Sequence, residues 1–273
     1  MFRYSSLNRI HHMNLDQVFA RAKSEKRAAL IGYMPAGFPS KEGSTRLIAA
    51  MIEGGVDIVE VGFPYSDPVM DGPVIQQAAE ISLRNNTSAT DVFDVVKASS
   101  VPTLVMSYWN PIERFGVERF ARELAGASGV GVITPDLTVE ESQPWIDATQ
   151  AHGISRVYVV APSSNDQRLS MVTAACSGFV YAASLMGVTG ARTTLSNAAS
   201  ELVARVRRVT DLPVAVGLGV SNPTQAAEVA TYADGVIVGS AFIKLVLDSA
   251  SIDEAIPKVK ELAEQLAQGV RRS

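Results

Sequence analysis

Ala29-Leu30-Ile31-Gly32-Tyr33-Met34, followed by the helical stretch Lys41–Glu53 and then Asp57-Ile58-Val59-Glu60-Val61, is the segment on which the fold turns. Two short apolar, β-branched runs flank one amphipathic segment, and that order means parallel pairing through a right-handed crossover. The unit then repeats. Further strands are predicted at Thr103–Ser107, Val130–Thr134, Arg156–Val160, Gly178–Ala182, Pro213–Val216 and Gly235–Val238. Helical patterns fall at Thr90–Ala98, Val117–Ala125, Glu140–Ala151, Asn165–Ala175, Ser196–Val209, Pro223–Thr231 and Ile252–Gln268. Eight units in about 250 residues fit a closed (β/α)8 barrel of the α/β class better than an open doubly wound sheet. The open sheet stays the competing reading, because periodicity does not report closure. No Pro-, Gly- or Ser-rich linker interrupts the pattern, so residues 1–273 are read as a single domain. Residues 1–14 are expected to form a loose arm, and an extra N-terminal helix, Leu15–Ser24, precedes the first strand in position to cover the barrel bottom.

Composition narrows the function. Apolar residues make up 47% and charged residues 19%, the balance of an ordinary soluble protein. A net charge of −4 with no dense basic cluster argues against nucleic acid as the main partner. No run of about 18 apolar residues occurs, so no membrane helix is expected, and no secretory signal is visible. One cysteine, Cys176, excludes an internal disulfide and suits the cytoplasm. Three histidines offer no zinc spacing, so no metal is expected. Trp109 and Trp145 read as packing or interface residues.

In a barrel of this kind the active site lies in the loops at the carboxyl ends of the strands. The unusual residues gather there. Glu60 stands inside an apolar strand that Gly62 and Pro64 terminate, where an unpaired carboxylate costs several kcal/mol. Asp71 follows on a loop punctuated by Pro68, Gly72 and Pro73. Either carboxylate alone reads equally well as a structural cap or turn residue. Two at the end of one strand favour acid/base chemistry. Glycine-bearing turns follow strands six, seven and eight, and Gly239-Ser240 opens a short helix, Ala241–Leu247. Each glycine alone is also readable as a tight turn, but together they point to a phosphate held by backbone amides and a helix N-terminus. Gly217 and Gly219 lack the third glycine of a dinucleotide fingerprint. The stretch Met186–Thr194 is small, polar and glycine-rich, as expected of a lid, with Arg192 as its protease-sensitive point.

With these residues assembled, the chain resembles the tryptophan synthase alpha chain family. The carrying motif is Glu60-Val61-Gly62-Phe63-Pro64-Tyr65-Ser66-Asp67-Pro68-Val69-Met70-Asp71-Gly72-Pro73, continuing to Ile75-Gln76. Tyr181-Ala182-Ala183-Ser184, Gly187-Val188-Thr189-Gly190-Ala191, Gly217-x-Gly219-x-Ser221 and the stretch from Gly235 to Ser240 support it in the same order. The chain departs from the family at Tyr65, where Phe is usual, and at Met70, Phe38, Leu185 and Met186.

The resemblance implies retro-aldol cleavage of indole-3-glycerol phosphate to indole and glyceraldehyde 3-phosphate, a lyase reaction. It implies Glu60 and Asp71 as the catalytic pair with Tyr181 in support. Gly190, Gly219, Gly239 and Ser240 would hold the phosphate, and Tyr33, Met106 and Tyr108 would wall the indole pocket. The implied partner is a beta chain that carries pyridoxal phosphate, in an alpha2beta2 tetramer. Tyr65, Asp67, Asn110 and Thr138 would lie at that contact, and the alpha chain would need no cofactor of its own. Two other readings compete: another phosphate-binding barrel, such as an isomerase of aminoribulose phosphates, and a non-catalytic regulatory barrel subunit.

Overall fold

The computed structural model describes residues 13–183, 192–217 and 219–272. Strands β1 (Ala29–Pro35), β2 (Ile58–Gly62), β3 (Thr103–Met106), β4 (Gly131–Thr134), β5 (Ser155–Val160), β6 (Val180–Ala183), β7 (Val214–Gly217) and β8 (Gly235–Val238) pair in parallel in chain order. β8 returns to β1, with Ala29 opposite Gly235 and Gly32 opposite Val238, so the sheet is a closed barrel rather than an open one.

Around it lie α1 (Leu15–Ser24), α2 (Lys41–Glu53), α3 (Pro73–Arg84), α4 (Ala89–Ala98), α5 (Trp109–Phe115), α6 (Val117–Gly126) and α7 (Gln143–His152). α8 (Asp166–Ala175), α9 (Arg192–Val206), α10 (Pro223–Ala230), α11 (Ser240–Leu247) and α12 (Ile252–Gly269) complete the ring. No helix among the described residues is long and apolar enough to cross a membrane.

Alternation along each strand makes two cores. Outward residues such as Leu30, Val59, Val105 and Val132 pack under the helices, where α6 contributes Phe120 and α7 contributes the fully buried Trp145. The Trp145 ring lies 5.8 Å from that of Trp109, which makes both tryptophans packing residues. Inward residues Ala29, Ile31, Ile58, Leu104, Ile133, Val157, Phe179, Ala215 and Ile237 fill the lower barrel. α1 stoppers that end. Asn14 and Gln17 form a capping box that starts the helix, and Leu15, Val18, Phe19 and Ala22 are buried against the barrel floor. Phe19 meets Phe179 at 5.7 Å between ring centroids, and burial of such a side chain contributes about 2–3 kcal/mol.

A buried charge cluster fastens this floor. Arg27 grips Asp57 through two bonds of 2.6 and 2.9 Å, and Arg21 of α1 adds a third at 2.9 Å. Asp57 also accepts the Leu30 N–H at 2.9 Å. Asp57, expected as the first residue of the second strand, therefore lies just before it.

Other boundaries differ for local reasons. Two helices had no counterpart in the sequence reading. α3 begins at Pro73, whose fixed φ and missing N–H suit a first helical position, and α5 occupies the loop after β3. The helix expected over Glu140–Ala151 is a single 3-10 turn at Val139–Glu141 and then α7, because Pro144 falls in α7's first turn. α9 begins at Arg192, earlier than expected, so the last residues of the anticipated lid, Arg192–Thr194, have helical backbone. The remainder of that lid, including Met186 and Gly190, Leu185 just before it, and residues 1–12 of the anticipated arm lie outside the described residues.

Candidate active site

The upper barrel interior is a cavity at the carboxyl ends of the strands. It is lined by the topmost inward residues of successive strands: Tyr33, Glu60, Met106, Ile133, Val159, Tyr181, Gly217 and Ile237. Loops add Asp71 and Met70 after β2, Pro135 after β4, Gly219 after β7, and Gly239 with Ser240 after β8. Ile75 of α3 closes one side. Glu60 and Asp71 thus face one space, and the glycine-bearing ends of β7 and β8 line the same cavity.

Glu60 is 1% exposed, and its Oε1 has no hydrogen-bond partner among the described residues. Burial among apolar walls pushes its pKa up to about 8. At neutral pH the group is held mainly as the acid, because an ionised form there loses its hydration without a compensating charge.

Asp71 sits half-buried on the loop before α3. Burial raises its pKa, while the Tyr108 phenol beside it pulls the other way. Tyr108 does not line the cavity. It is buried behind the loop, where its Oη accepts the Met70 N–H at 3.0 Å, and Tyr65 packs on its ring at 5.4 Å. Tyr108 therefore positions the segment that carries Asp71. The β3 and β4 ends are also joined, since the Trp109 N–H donates to Asp136 at 2.9 Å.

Tyr33 and Tyr181 are the two phenols inside the cavity. Burial first, and the nearby carboxylates second, hold both well above the ordinary tyrosine pKa, so both remain donors. Their tips need glycine beside them. A β-carbon on Gly62 would fall 2.2 Å from the Tyr33 Oη, and one on Gly217 would fall 2.5 Å from the Tyr181 Oη.

Gly239 is the N-cap of α11 and Ser240 its first residue, so free N–H groups and the helix dipole face the cavity. Gly219 adopts φ of +69°, a turn that favours glycine. Among the expected interface residues, Asp67, Asn110 and Thr138 are exposed and Tyr65 is half-buried. Val69, 73% exposed, and Met70, 40% exposed, add an apolar edge to the same rim.

Sequence reading had missed Ile75, Pro135, Val159 and Ile237 as lining residues. The signal available was the two-residue alternation, which sends Ile133 and Pro135, or Ile237 and Gly239, to one face.

Residues 19–271 match the family model described as tryptophan synthase alpha chain. The chain belongs to the tryptophan synthase alpha chain family. It is 57% identical to the tryptophan synthase alpha chain of Thermobifida fusca over 263 residues, covering 94% of this chain and 97% of that one. Identity to the Streptomyces avermitilis alpha chain is 57% over 261 residues, covering 94% of both. A solved Mycobacterium tuberculosis tryptophan synthase structure superposes with a TM-score of 0.89 at 48% identity, covering 96% of this chain and all of that one. The Legionella pneumophila alpha subunit superposes at 0.86 with 29% identity, covering 94% and 98%. As a family member the chain is a lyase of tryptophan biosynthesis that cleaves indole-3-glycerol phosphate.

Proposed function

We propose that Glu60 and Asp71 carry out this cleavage while the Gly219, Gly239 and Ser240 end of the cavity holds the phosphate. The observation that carries the reading is the buried Glu60 carboxyl, whose Oε1 has no hydrogen-bond partner among the described residues and which lines one cavity with Asp71. Cleavage requires indole C3 to gain a proton and the side-chain hydroxyl to lose one. Neutral Glu60 gives its proton to C3. The resulting carboxylate takes the hydroxyl proton as the carbon–carbon bond breaks, which releases indole and an aldehyde and restores the acid. Protonation at C3 leaves positive charge on the indole nitrogen. Ionised Asp71 accepts the indole N–H and stabilises that charge.

The phosphate lies against the Gly219, Gly239 and Ser240 amides, with Gly190 as an expected fourth contact from the lid. Tyr33 and Met106 form the apolar walls, and the Tyr181 hydroxyl supports the reacting end. The steps are proton transfers within one substrate, so the reading needs no metal and no organic cofactor on this chain.

Family membership implies a beta chain partner. We assign its contact to Tyr65, Asp67, Asn110 and Thr138, and the exposed Val69 and Met70 on the same rim support that choice. The assembly we propose is an alpha2beta2 tetramer in the cytoplasm, with pyridoxal phosphate on the beta chain. Residues 1–273 act as one domain in this scheme.

The test is indole release from indole-3-glycerol phosphate by the full chain, with and without a beta chain, beside Glu60→Gln and Asp71→Asn. Each substitution should lower turnover at least about a hundredfold while a glycerol phosphate analogue still binds. Turnover retained in either variant would remove that residue from the scheme.

A further inference from the structure

The Tyr33 hydroxyl has no part in the scheme above, yet its setting is that of a donor rather than a wall. Tyr33 and Glu60 are register partners on β1 and β2, so both point into the barrel at one level. From β1 the ring bridges its two neighbouring strands. A β-carbon on Gly239 of the β8 turn would lie 3.2 Å from the Tyr33 Cδ1, and one on Gly62 of β2 would lie 2.2 Å from its Oη. The hydroxyl therefore rests on the backbone of Gly62, the next inward position above Glu60, in space that any side chain at 62 would fill.

Its alternatives are limited. Tyr33 is 7% exposed, and its hydroxyl bonds no group among the described residues. The Tyr181 hydroxyl rests over Gly217 of β7, and the Tyr108 hydroxyl is held at the Met70 N–H. Both carboxylates act on the Tyr33 and Tyr181 phenols, but the atoms nearest to a β-carbon on Gly62, on the strand that carries Glu60, are all those of Tyr33.

We infer that Tyr33 is a positioning donor for Glu60, hydrogen-bonding its carboxylate during the part of each turnover in which that group is ionised. The inference rests on the acid/base reading of Glu60. Once Glu60 has protonated the substrate, its negative charge stands in an apolar wall with no cation among the described cavity-lining residues. A neutral phenol supplies a charge-assisted hydrogen bond there and keeps its own proton throughout. Such a bond makes Glu60 a stronger acid than its surroundings alone allow.

Tyr33→Phe tests this, because it removes one oxygen and keeps the ring. Indole release from indole-3-glycerol phosphate is followed against pH with the full chain and a beta chain present. Glu60 must start protonated, so activity falls as pH rises through its pKa. Loss of a donor to the ionised form moves that alkaline limb upward by up to about one pH unit and lowers kcat by about tenfold, with KM kept. Gly62→Ala, which leaves the hydroxyl on Tyr33 but pushes it off β2, should move the limb the same way.

A Tyr33→Phe enzyme whose limb stays in place, or whose KM rises while kcat is kept, would reduce Tyr33 to a wall and overturn the inference. Glu60→Gln is assayed alongside with Tyr33 intact. If it turns over normally, the acid/base reading itself fails and takes the Tyr33 inference with it, a failure distinguishable from the first.

Discussion

Glu60→Gln should stabilise the folded chain, and by an amount that grows with pH. Burial lifts the Glu60 pKa from 4.5 to about 8 in the folded state. Below the lower value the group is neutral whether the chain is folded or not. Between the two values only the unfolded chain ionises, so folded stability falls as pH rises. Above the upper value both states are ionised and the loss is complete. At about 1.4 kcal/mol per pH unit the wild type gives up about 3 kcal/mol by pH 7 and about 5 kcal/mol above pH 8. Glutamine has nearly the same shape and does not titrate. The difference in unfolding free energy between variant and wild type should therefore climb by those amounts from about pH 5 to about pH 9. Urea unfolding followed by circular dichroism measures it, and every other titrating group cancels in the difference. A flat difference would show that Glu60 is not isolated from charge and solvent. A difference that falls with pH would show a paired, ionised carboxylate, and either result would refute the reasoning. The expected gain also measures what the fold gives up to keep an acid poised for chemistry.

Tyr108→Phe should leave the fold intact and raise the pKa of Asp71, because the phenol opposes the effect of burial there. Asp71 works ionised, so the acid limb of the kcat profile moves to higher pH; an unmoved limb would detach Tyr108 from Asp71. Arg27→Ala should destabilise the chain by roughly 3 kcal/mol, since it strips the closest partner from buried Asp57 and leaves only Arg21 and the Leu30 N–H. A loss under about 1 kcal/mol in urea titration would count against the floor cluster as a fastening. Gly54→Ala should cost about 1–3 kcal/mol, because its β-carbon would stand 2.6 Å from the Lys260 carbonyl oxygen of α12, a backbone atom that cannot turn aside. Its thermal midpoint, compared with that of Gly126→Ala, where no atom lies within 4 Å, isolates that clash.

Much of this was legible in the chain. The eight strands were found within a few residues, since short apolar runs between amphipathic helices carry their own period. α3 has no counterpart in the sequence reading because Gly72-Pro73 reads there as loop punctuation. Gly72-Pro73 is equally a helix start. Glu60 stood out because a carboxylate in an apolar strand violates the local pattern. Tyr108 did not separate from the pocket walls, because its bond to Met70 joins residues 38 positions apart.

By itself the sequence determined the alternation of elements, the family, and the residues that break pattern at the strand ends. These are local properties, written in periodicity, in glycine and proline punctuation, and in one long contiguous motif. Only the tertiary structure decided closure, and with it which side chains meet. Bringing β8 back to β1 lets the Tyr33 ring reach from Gly239 to Gly62. It sets Glu60 and Asp71 in one cavity with the Gly219 and Gly239 turns and leaves the Glu60 Oε1 without a partner among the described residues. Strand tilt and barrel closure fix those meetings between residues far apart in the chain, and no short window of sequence records either.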